Sequence, residues 1–329
     1  MKNIAIVMGG YSGEHDISIN SGTQVYQTLK GSNYNLYRIV VEREGWWYLD
    51  DNDNRAPVDK NDFSVVIGGS RIAFDLAFIL IHGNPGENGV LQGYFDMLGI
   101  KYTTCGFYTS TITFHKGYCN PLVRSFGVVD VAKSVQIDRM HRKTKAEILS
   151  KLTLPLFVKP ATGGSSVATT KVKSEDALEP AIEAAFGEAD EVMVEECIKG
   201  REFDCGVFQT STKKLVFPIT EIVPTNNHEF FDFDAKYNGF SNEITPALVD
   251  AKVSSLIQQT SAQLYDLLNC KGIVRFDYIY DTQREKLYFL EVNTVPGQSA
   301  ESIVPKQARA MGISTRELYE MAIETALNQ

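Results

Sequence analysis

Hydrophobic and polar positions alternate in two runs near the carboxyl end of the chain, residues 273–280 and 286–293. A short polar link joins the two runs. Alternation of this kind is typical of half-buried strands, and so short a polar link predicts a β-hairpin. Because successive side chains of a strand point to opposite faces, the pairing register decides which charged residues lie together.

Four polar side chains interrupt the apolar face of this predicted hairpin. If Asp277 pairs with Glu291, then Arg275 lies opposite Asn293, and all four share one face. Such a group is costly to bury without a partner. A divalent cation offsets that cost, because carboxylate and amide oxygens suit Mg²⁺ that bridges to nucleotide phosphates, and Arg275 is then available to an anion. The alternative is an Arg275–Glu291 salt bridge on a solvated face. A Pro-Gly pair soon after the second run lets the backbone approach a ligand and favours the interpretation as a metal site.

The remaining pattern predicts an α/β chain. Apolar runs predict strands at residues 3–8, 34–41, 63–67, 75–81, 151–160, 192–196 and 203–209. Helical periodicity predicts helices at residues 17–29, 90–98, 114–124, 174–186, 249–268 and 318–327. Ser174 is the candidate N-cap of the fourth helix. A glycine-rich turn follows the first strand and the strand that ends at residue 81, as in the βα units of an open α/β sheet.

These two turns are predicted to face one cleft, because ligands of open α/β sheets lie at the carboxyl ends of the strands. Glu14 lies in the first turn and is predicted to receive a cationic group of a substrate. Its alternative role is to complement the dipole of the helix that follows. His82 begins the second turn. Considered in isolation, this histidine is best interpreted as a capped residue of a loop.

A loop of small residues, 161–168, predicts a phosphate site between two strands, because its backbone N–H groups can surround an anion. Lys159 directly precedes it and adds a point charge. The loop is not a Walker A sequence, and a plain hairpin is the alternative. Glu195, at the end of the next strand, is suited to hold an adenine edge, and Glu202 to accept hydrogen bonds from ribose hydroxyls. A charged hairpin turn is the alternative for both.

Residues 226–240 are aromatic, polar and without a clear period. One interpretation is a solvated surface loop. The other is a lid that closes over a reaction and excludes water. Lys236 and Tyr237 are the side chains that such a lid would present.

Composition narrows the classes of function. The chain has 329 residues, a net charge of −9 and no basic block, which excludes nucleic acid as an expected partner. No apolar run approaches the ~18 residues of a membrane span, and the first residues do not resemble a secretory signal. Five scattered cysteines without a C-x-x-C pair are expected to be reduced thiols of a cytoplasmic protein.

Seven motifs in chain order resemble those of the D-alanine–D-alanine ligases, which belong to the ATP-grasp superfamily. They are GGYSGEHDIS, HGNPGENGVLQGYFDMLGIKYT, FVKPATGGSSVATTKV, EECIKGREFDCGV, EFFDFDAKY, GIVRFDY and FLEVNTVPGQSAESIVP. The resemblance covers nearly the whole chain and implies an α/β protein with an ATP-grasp fold, preceded by an open α/β, Rossmann-like (pre-ATP-grasp) domain. It implies a division into an amino-terminal substrate domain, a central ATP-grasp domain, and a carboxyl-terminal ATP-grasp domain with the lid at 226–240. The expected bounds are 1–106, 107–194 and 195–329.

The resemblance also implies the chemistry. ATP phosphorylates the carboxylate of one D-alanine, and the amine of a second D-alanine attacks the acyl phosphate, as in the synthesis of peptidoglycan precursors. The implied ligands are ATP, two D-alanines and two Mg²⁺ ions, for which Mn²⁺ can substitute, and the implied assembly is a homodimer. A D-alanine–D-lactate or other D-acceptor ligase and a non-catalytic nucleotide-binding protein are the alternatives. Tyr237, where depsipeptide-forming relatives carry phenylalanine, favours the dipeptide.

Residue roles follow from the resemblance position by position. The implied ATP contacts are Lys116, Lys159, Ser166, Glu195, Ile198, Glu202, Phe230 and Lys236. The implied magnesium ligands are Asp277, Glu291 and Asn293. The implied substrate contacts are Glu14, His82, Arg275, Gly297 and Ser302. The implied catalytic group is Glu14, Ser165, Tyr237, Arg275, Gly297 and Ser302, in which Arg275 and the N–H of Gly297 stabilise the tetrahedral oxyanion.

Several positions depart from the usual motifs, among them Phe231 and Phe233 in the expected lid, where tyrosines are common. Asn88 replaces an acid, His115 replaces an aspartate, Asn120 stands near the place of a second lysine, Ala168 replaces a glycine, and Gln298 replaces an apolar residue. The departures remove none of the implied roles. We expect them to change the affinity for ATP and the rates at which the loops move.

Overall fold

Three β-sheets and the helices that cover them form the part of the chain described by a computed structural model, residues 1–164, 167–224 and 241–329. Within these residues, no helix has both the length and the apolar surface needed to cross a membrane.

The first sheet comes from the amino-terminal third of the chain. Its strands are Lys2–Gly9 (β1), Tyr34–Val41 (β2), Trp46–Leu49 (β3), Arg55–Asp59 (β4), Ser64–Ile67 (β5), Ser70–Ala73 (β6), Leu76–Ile79 (β7) and Lys101–Tyr102 (β8), with helices His15–Leu29 (α1) and Val90–Leu98 (α2). The strand order is β6-β5-β4-β3-β2-β1-β7-β8. β1 pairs in parallel with both β2 and β7, so the turns after β1 and β7 lie at the same edge of the sheet.

The second sheet is small and antiparallel, in the order β10-β13-β11-β12. The elements of this part of the chain are Phe107–Phe114 (α3), Lys116–Phe126 (α4), Asp130–Val131 (β9), Ser134–Asp138 (β10), Lys145–Leu149 (α5), Leu156–Pro160 (β11), Thr170–Val172 (β12), a 3₁₀ turn at Glu175–Ala177, Leu178–Phe186 (α6) and Glu191–Glu196 (β13). α5 and α6 cover one face, where Ile148, Leu178 and Ile182 pack against Val158 and Val194.

The third sheet carries the predicted hairpin. Its elements are Arg201–Gln209 (β14), Lys214–Val216 (β15), Thr220–Pro224 (β16), Ser241–Ile244 (β17), Ala251–Leu267 (α7), Ile273–Asp281 (β18), Lys286–Asn293 (β19), Ile303–Ala310 (α8) and Thr315–Leu327 (α9). The order is β17-β16-β14-β18-β19-β9, with β15 on β14. α9 packs back on the first sheet, where the rings of Phe78 and Tyr319 are 5.9 Å apart, so the two ends of the chain share one core.

Three predictions about the elements were wrong. The strand expected at 151–160 begins at Leu156, because Pro155 lacks the N–H that a ladder needs and pairing starts with Leu156 opposite Glu196. The helix expected at 114–124 is interrupted at His115, whose extended backbone (φ −96°, ψ 98°) separates α3 from α4. Ser174 precedes a 3₁₀ turn and makes no side-chain cap hydrogen bond, so α6 begins only at residue 178.

Candidate active site

The β18–β19 hairpin has the predicted register. Asp277 pairs with Glu291 and Arg275 with Asn293, and a shift in register follows directly after Asp277. Asp277 is only 5% exposed. The hairpin therefore carries its polar group on one face and packs its apolar side chains into the core on the other, as the alternation predicted.

Arg275 is bonded to two buried carboxylates. Its Nε and Nη2 donate to the two oxygens of Asp277, each at 2.7 Å, and Nε lies 3.3 Å from Asp204 Oδ2 on β14. Burial opposes the charge of Arg275, but Asp277 and Asp204 outweigh it and hold the arginine pKa well above its usual range. Burial and the neighbouring Asp277 raise the pKa of Asp204. The solvated Arg275–Glu291 bridge considered from sequence is thus not the arrangement of this face.

Lys116 connects the hairpin to the small-residue loop. Its Nζ lies 3.3 Å from Glu291 Oε2 and donates to the carbonyl of Gly163 at 2.9 Å. Its backbone N–H donates to the carbonyl of Ala161 at 2.8 Å. Burial disfavours the charge of Lys116, yet Glu291 raises its pKa overall. The charged hairpin and the 161–168 loop are therefore neighbours.

A second buried lysine–glutamate pair lies on the adjoining sheet. Lys159 Nζ on β11 is 2.5 Å from Glu195 Oε1 on the neighbouring strand β13. Both side chains are largely buried. Each of the two lysines implied as phosphate contacts is thus positioned by a carboxylate.

A cleft of about 1020 Å³ connects these groups. Eight of the predicted site residues line it: Glu14, Lys116, Lys159, Glu195, Ile198, Glu202, Asp277 and Glu291. The other described members of the predicted site do not line this cleft: His82, Arg275, Asn293, Gly297 and Ser302. Ser165, Ser166, Phe230, Lys236, Tyr237 and the expected lid at 226–240 lie outside the described residues, so their roles stay predictions.

The two glycine-rich turns contact each other, but of the two only the first lines the cleft that both were predicted to face. The N–H of Tyr11 donates to Asn84 O at 2.8 Å, and Ser12 Oγ donates to His82 O at 2.9 Å. From the opposite side, the 161–168 loop approaches so closely that a Cβ on Gly164 would lie 2.8 Å from Glu14 Oε2. Glu14 therefore stands at the meeting point of the first sheet and the small-residue loop.

His82 links these turns to the segment after β19. Its Nδ1–H donates to Val295 O at 2.8 Å, which makes Nε2 the acceptor nitrogen. Burial lowers the pKa of His82, while nearby Glu14 opposes the shift, so the imidazole is neutral at pH 7. Beyond Val295, Gly297 faces Ser302: a Cβ at Gly297 would lie 2.8 Å from Ser302 Oγ.

Sequence reasoning missed three residues of this region. Glu87 accepts the N–H of Gly83 at 3.0 Å, and burial together with Glu14 raises its pKa to about 7. Arg43 lies 5.1 Å over the ring of Tyr11 and lines the cleft. Asp204 could have been found, because it shares a strand face with Glu202 by alternation. Glu87 lies in a motif noted above, whereas no pattern marks Arg43.

Comparisons with known proteins agree along the whole chain. The family model described as D-ala D-ala ligase N-terminus matches residues 3–105, and the one described as D-ala D-ala ligase C-terminus matches residues 123–324. A D-alanine–D-alanine ligase of Phocaeicola vulgatus is 45% identical over 323 residues, with 98% of each chain covered. That of Porphyromonas gingivalis strain W83 is 44% identical over 327 residues, covering 99% of this chain and 98% of the relative.

The chain belongs to the D-alanine–D-alanine ligase family. Among solved structures, the VanG D-Ala:D-Ser ligase from Enterococcus faecalis is 31% identical, with 99% of both chains covered and a TM-score of 0.88. A D-alanine–D-alanine ligase from Bacillus anthracis, solved with ATP, is 26% identical, with 100% of this chain and 98% of that chain covered and a TM-score of 0.78. The predicted ATP-grasp fold is confirmed, and the family is one of ATP-dependent ligases.

The donor chemistry of the hairpin fits the magnesium expected for a D-alanine–D-alanine ligase. Asp277 and Glu291 offer carboxylates, and Asn293 donates its Nδ2 to Asp277 at 2.9 Å, which directs its amide oxygen away from that carboxylate. All of these candidate ligands are hard oxygens. In the described ranges, no three His, Cys, Asp or Glu residues cluster as a metal site, and Mg²⁺ commonly completes its shell with phosphate oxygens and water.

Proposed function

We propose that the chain joins two D-alanines to D-alanyl-D-alanine through a D-alanyl phosphate, with ATP converted to ADP and phosphate. The observation that carries the proposal is the double contact of Lys116 with Glu291 and with the carbonyl of Gly163. It unites a hard-oxygen metal site with a loop suited to phosphate in one cleft. Phosphoryl transfer depends mainly on positioning and charge neutralisation, which this arrangement supplies.

In the first step, a carboxylate oxygen of one D-alanine attacks the γ-phosphorus of ATP, and the bond from that phosphorus to the bridging oxygen breaks to release ADP. Lys116 and Lys159 hold the phosphates. Bound at Asp277, Glu291 and Asn293, Mg²⁺ would neutralise phosphate charge during the transfer. Glu14 receives the ammonium of this D-alanine, with neutral His82 beside it.

In the second step, the amine of another D-alanine attacks the carbonyl carbon of the acyl phosphate. Negative charge develops on the carbonyl oxygen, where Arg275 and the N–H of Gly297 stabilise it. The C–O bond to phosphate then breaks, the nitrogen gives up a proton, and the phosphate leaves with that proton as inorganic phosphate. Asp277 fixes the plane of the Arg275 guanidinium through two parallel hydrogen bonds, a geometry that is specific for arginine.

The test is phosphate release by the purified protein with ATP, Mg²⁺ and D-alanine, with product identification by mass. We expect release well above the level without D-alanine and a product of the mass of the dipeptide. D-lactate and D-serine are offered as competing acceptors over a range of pH, and we expect the dipeptide of D-alanine to dominate. Release that does not depend on D-alanine would discard the proposal.

We also propose a homodimer. α2 and α3 together present an exposed apolar patch that consists of Val90, Met97, Phe107 and Tyr108, in which Met97 is 88% and Tyr108 79% exposed. Phe107 lies against Gly93 of α2 and its ring is 5.2 Å from that of Tyr108, so apolar surface passes from α2 to α3. Contiguous apolar patches often mark protein interfaces. Light scattering should give the mass of two chains for the natural protein and of one chain for a Met97→Lys, Tyr108→Glu double variant.

A further inference from the structure

The turn formed by residues 295–298 is held by an unusual number of side chains. Four of its backbone polar groups have side-chain partners from distant parts of the chain or from the turn itself. They are Val295 O with His82 Nδ1 (2.8 Å), Pro296 O with Gln298 Nε2 (3.1 Å), Gln298 N with Ser21 Oγ (3.2 Å) and Gln298 O with Tyr319 OH (2.8 Å). These partners come from the second glycine-rich turn, α1 and α9, so several elements fix one short segment.

The bond from Gln298 Nε2 to Pro296 O has a direct consequence for Gly297. The carbonyl of Pro296 and the N–H of Gly297 belong to one planar peptide unit, which is trans. In a trans unit these two groups point in opposite directions. Holding the carbonyl therefore sets the direction of the N–H. A carbonyl that accepts a hydrogen bond also polarises its peptide unit, which makes the N–H a stronger donor.

We infer that Gln298 is a positioning residue that aims the N–H of Gly297 at the oxyanion of the ligation step. This inference rests on the proposed function, in which that N–H is an oxyanion donor. An oxyanion donor acts best when it is aligned before the reaction and needs no reorganisation. Ser21 and Tyr319 fix the backbone on the far side of Gly297, so Gln298 completes a clamp around this one peptide unit.

Stability does not account for the amide of Gln298. The side chain is 3% exposed, and no group among residues 1–164, 167–224 and 241–329 donates to its Oε1. A buried polar atom without a partner is unfavourable, whereas methionine has a similar length and no such atom. Gln298→Met removes this unpaired oxygen but also leaves the buried carbonyl of Pro296 without its donor. The two effects offset each other, so the variant should be about as stable as the natural protein while it loses the bond to Pro296.

The experiment compares Gln298→Met with Gln258→Met in steady-state assays with ATP, Mg²⁺ and D-alanine. Gln258 is the matched control, because its Nε2 also donates to a backbone carbonyl, that of Phe217 at 3.0 Å, but lies on α7 away from the cleft. For Gln298→Met we expect kcat to fall about tenfold, less than the 10²–10³-fold loss typical when an oxyanion donor is removed. The KM values for ATP and D-alanine should not rise, and the unfolding temperature should stay close to that of the natural protein. Gln258→Met should retain kcat.

Two further measurements separate this role from a structural one. Gln298→Glu replaces the donor by an acceptor that repels Pro296 O, so its kcat should fall further than that of Gln298→Met. Inhibition by a dipeptide analogue with a tetrahedral phosphinate should weaken in parallel with kcat, because it imitates the transition state. A natural protein that makes no dipeptide contradicts the proposed function. An active natural protein whose Gln298→Met variant keeps its kcat and its phosphinate inhibition contradicts the inference alone.

Discussion

The β18–β19 hairpin and the turn that follows it lie side by side and are held in different ways. In the hairpin, charged side chains are bonded to opposite charges, Arg275 to Asp277 and Glu291 to Lys116. In the turn at 295–298, neutral side chains bond to backbone groups. The strength of a charged pair depends on the ionisation of both partners and on bound ions, whereas neutral hydrogen bonds change little with either.

The hairpin and the turn are suited to two different tasks of the proposed active site. The charges of the hairpin balance one another, so a phosphate or a metal ion that binds there has to be accommodated by an exchange of partners. The turn is fixed before any ligand arrives, which suits a donor that must already be aligned when charge develops. Changes in the hairpin should therefore alter ligand binding and stability together with turnover, and changes in the turn should alter turnover alone.

Arg275→Ala should have the largest effect. It removes a proposed oxyanion donor, for which we expect a loss of kcat of about 10³-fold. It also leaves Asp204 and Asp277 without their buried cation, which should destabilise the fold by about 3–5 kcal/mol. Arg275→Lys is the matched control: it keeps the charge but not the two parallel bonds, so stability should recover more than kcat. Equal turnover of Arg275→Ala and the natural protein would rule out the proposed role.

Glu291→Gln should come next. It removes one anionic oxygen from the proposed metal site and the partner of Lys116, so the Mg²⁺ concentration for half-maximal rate should rise at least about tenfold. Glu285→Gln is the control, because Glu285 is exposed in the link of the same hairpin. The measurement is the rate as a function of Mg²⁺ at saturating ATP. Identical Mg²⁺ curves for the two variants would show that Glu291 is not a ligand.

The sequence predicted the hairpin well because alternation leaves little choice of register. A shift by one residue would move Arg275 and Asp277 to the opposite face together with every apolar side chain. The same strand pattern could not reveal that Asp204 lies opposite Asp277, because the pairing of β14 with β18 joins segments about seventy residues apart. Non-local pairings are set by the packing of the whole sheet, and a single strand does not encode its neighbour.

Element boundaries were less predictable where the backbone overrides the pattern. Helical periodicity continues through His115, yet its extended backbone there ends α3 and allows the N-terminus of α4 to present Lys116 to Gly163. Of the short strands β3 to β6, only β5 was predicted, because the apolar runs of the other three are too brief to be distinguished from loops. The division of the chain at residues 106 and 194 stays a prediction, as do the roles assigned to Ser165 and Tyr237.

Lys159→Met should have a smaller effect than either hairpin variant. It removes one proposed charged contact to phosphate, so KM for ATP should rise about tenfold, as expected for the loss of one charge-assisted hydrogen bond. It also leaves Glu195 without its buried partner. Lys151→Met is the control, because Lys151 is exposed and precedes the same strand. A KM for ATP that stays at the natural value would exclude a phosphate contact.

Glu87→Gln should have the smallest effect on turnover and a distinct effect on the pH dependence of stability. Burial and Glu14 raise the pKa of Glu87 from 4.5 to about 7, so the folded protein binds this proton more tightly than the unfolded chain does. The resulting stabilisation is complete below pH 4.5 and is lost as the pH rises through 7, with a limit of about 3 kcal/mol. Glutamine stays neutral throughout and should abolish this decline.

The measurement is the urea midpoint of the natural protein and of Glu87→Gln at several pH values between 4.5 and 8. Titrating groups that both proteins share cancel in the difference, which should widen with pH in favour of the variant. Glu44→Gln, at an exposed position of the same domain, should show no such difference. Parallel curves for the natural protein and Glu87→Gln would mean that Glu87 is ionised at pH 5. Glu87 would then be a charged carboxylate, like the paired charges of the hairpin, and not an acid that the fold keeps neutral.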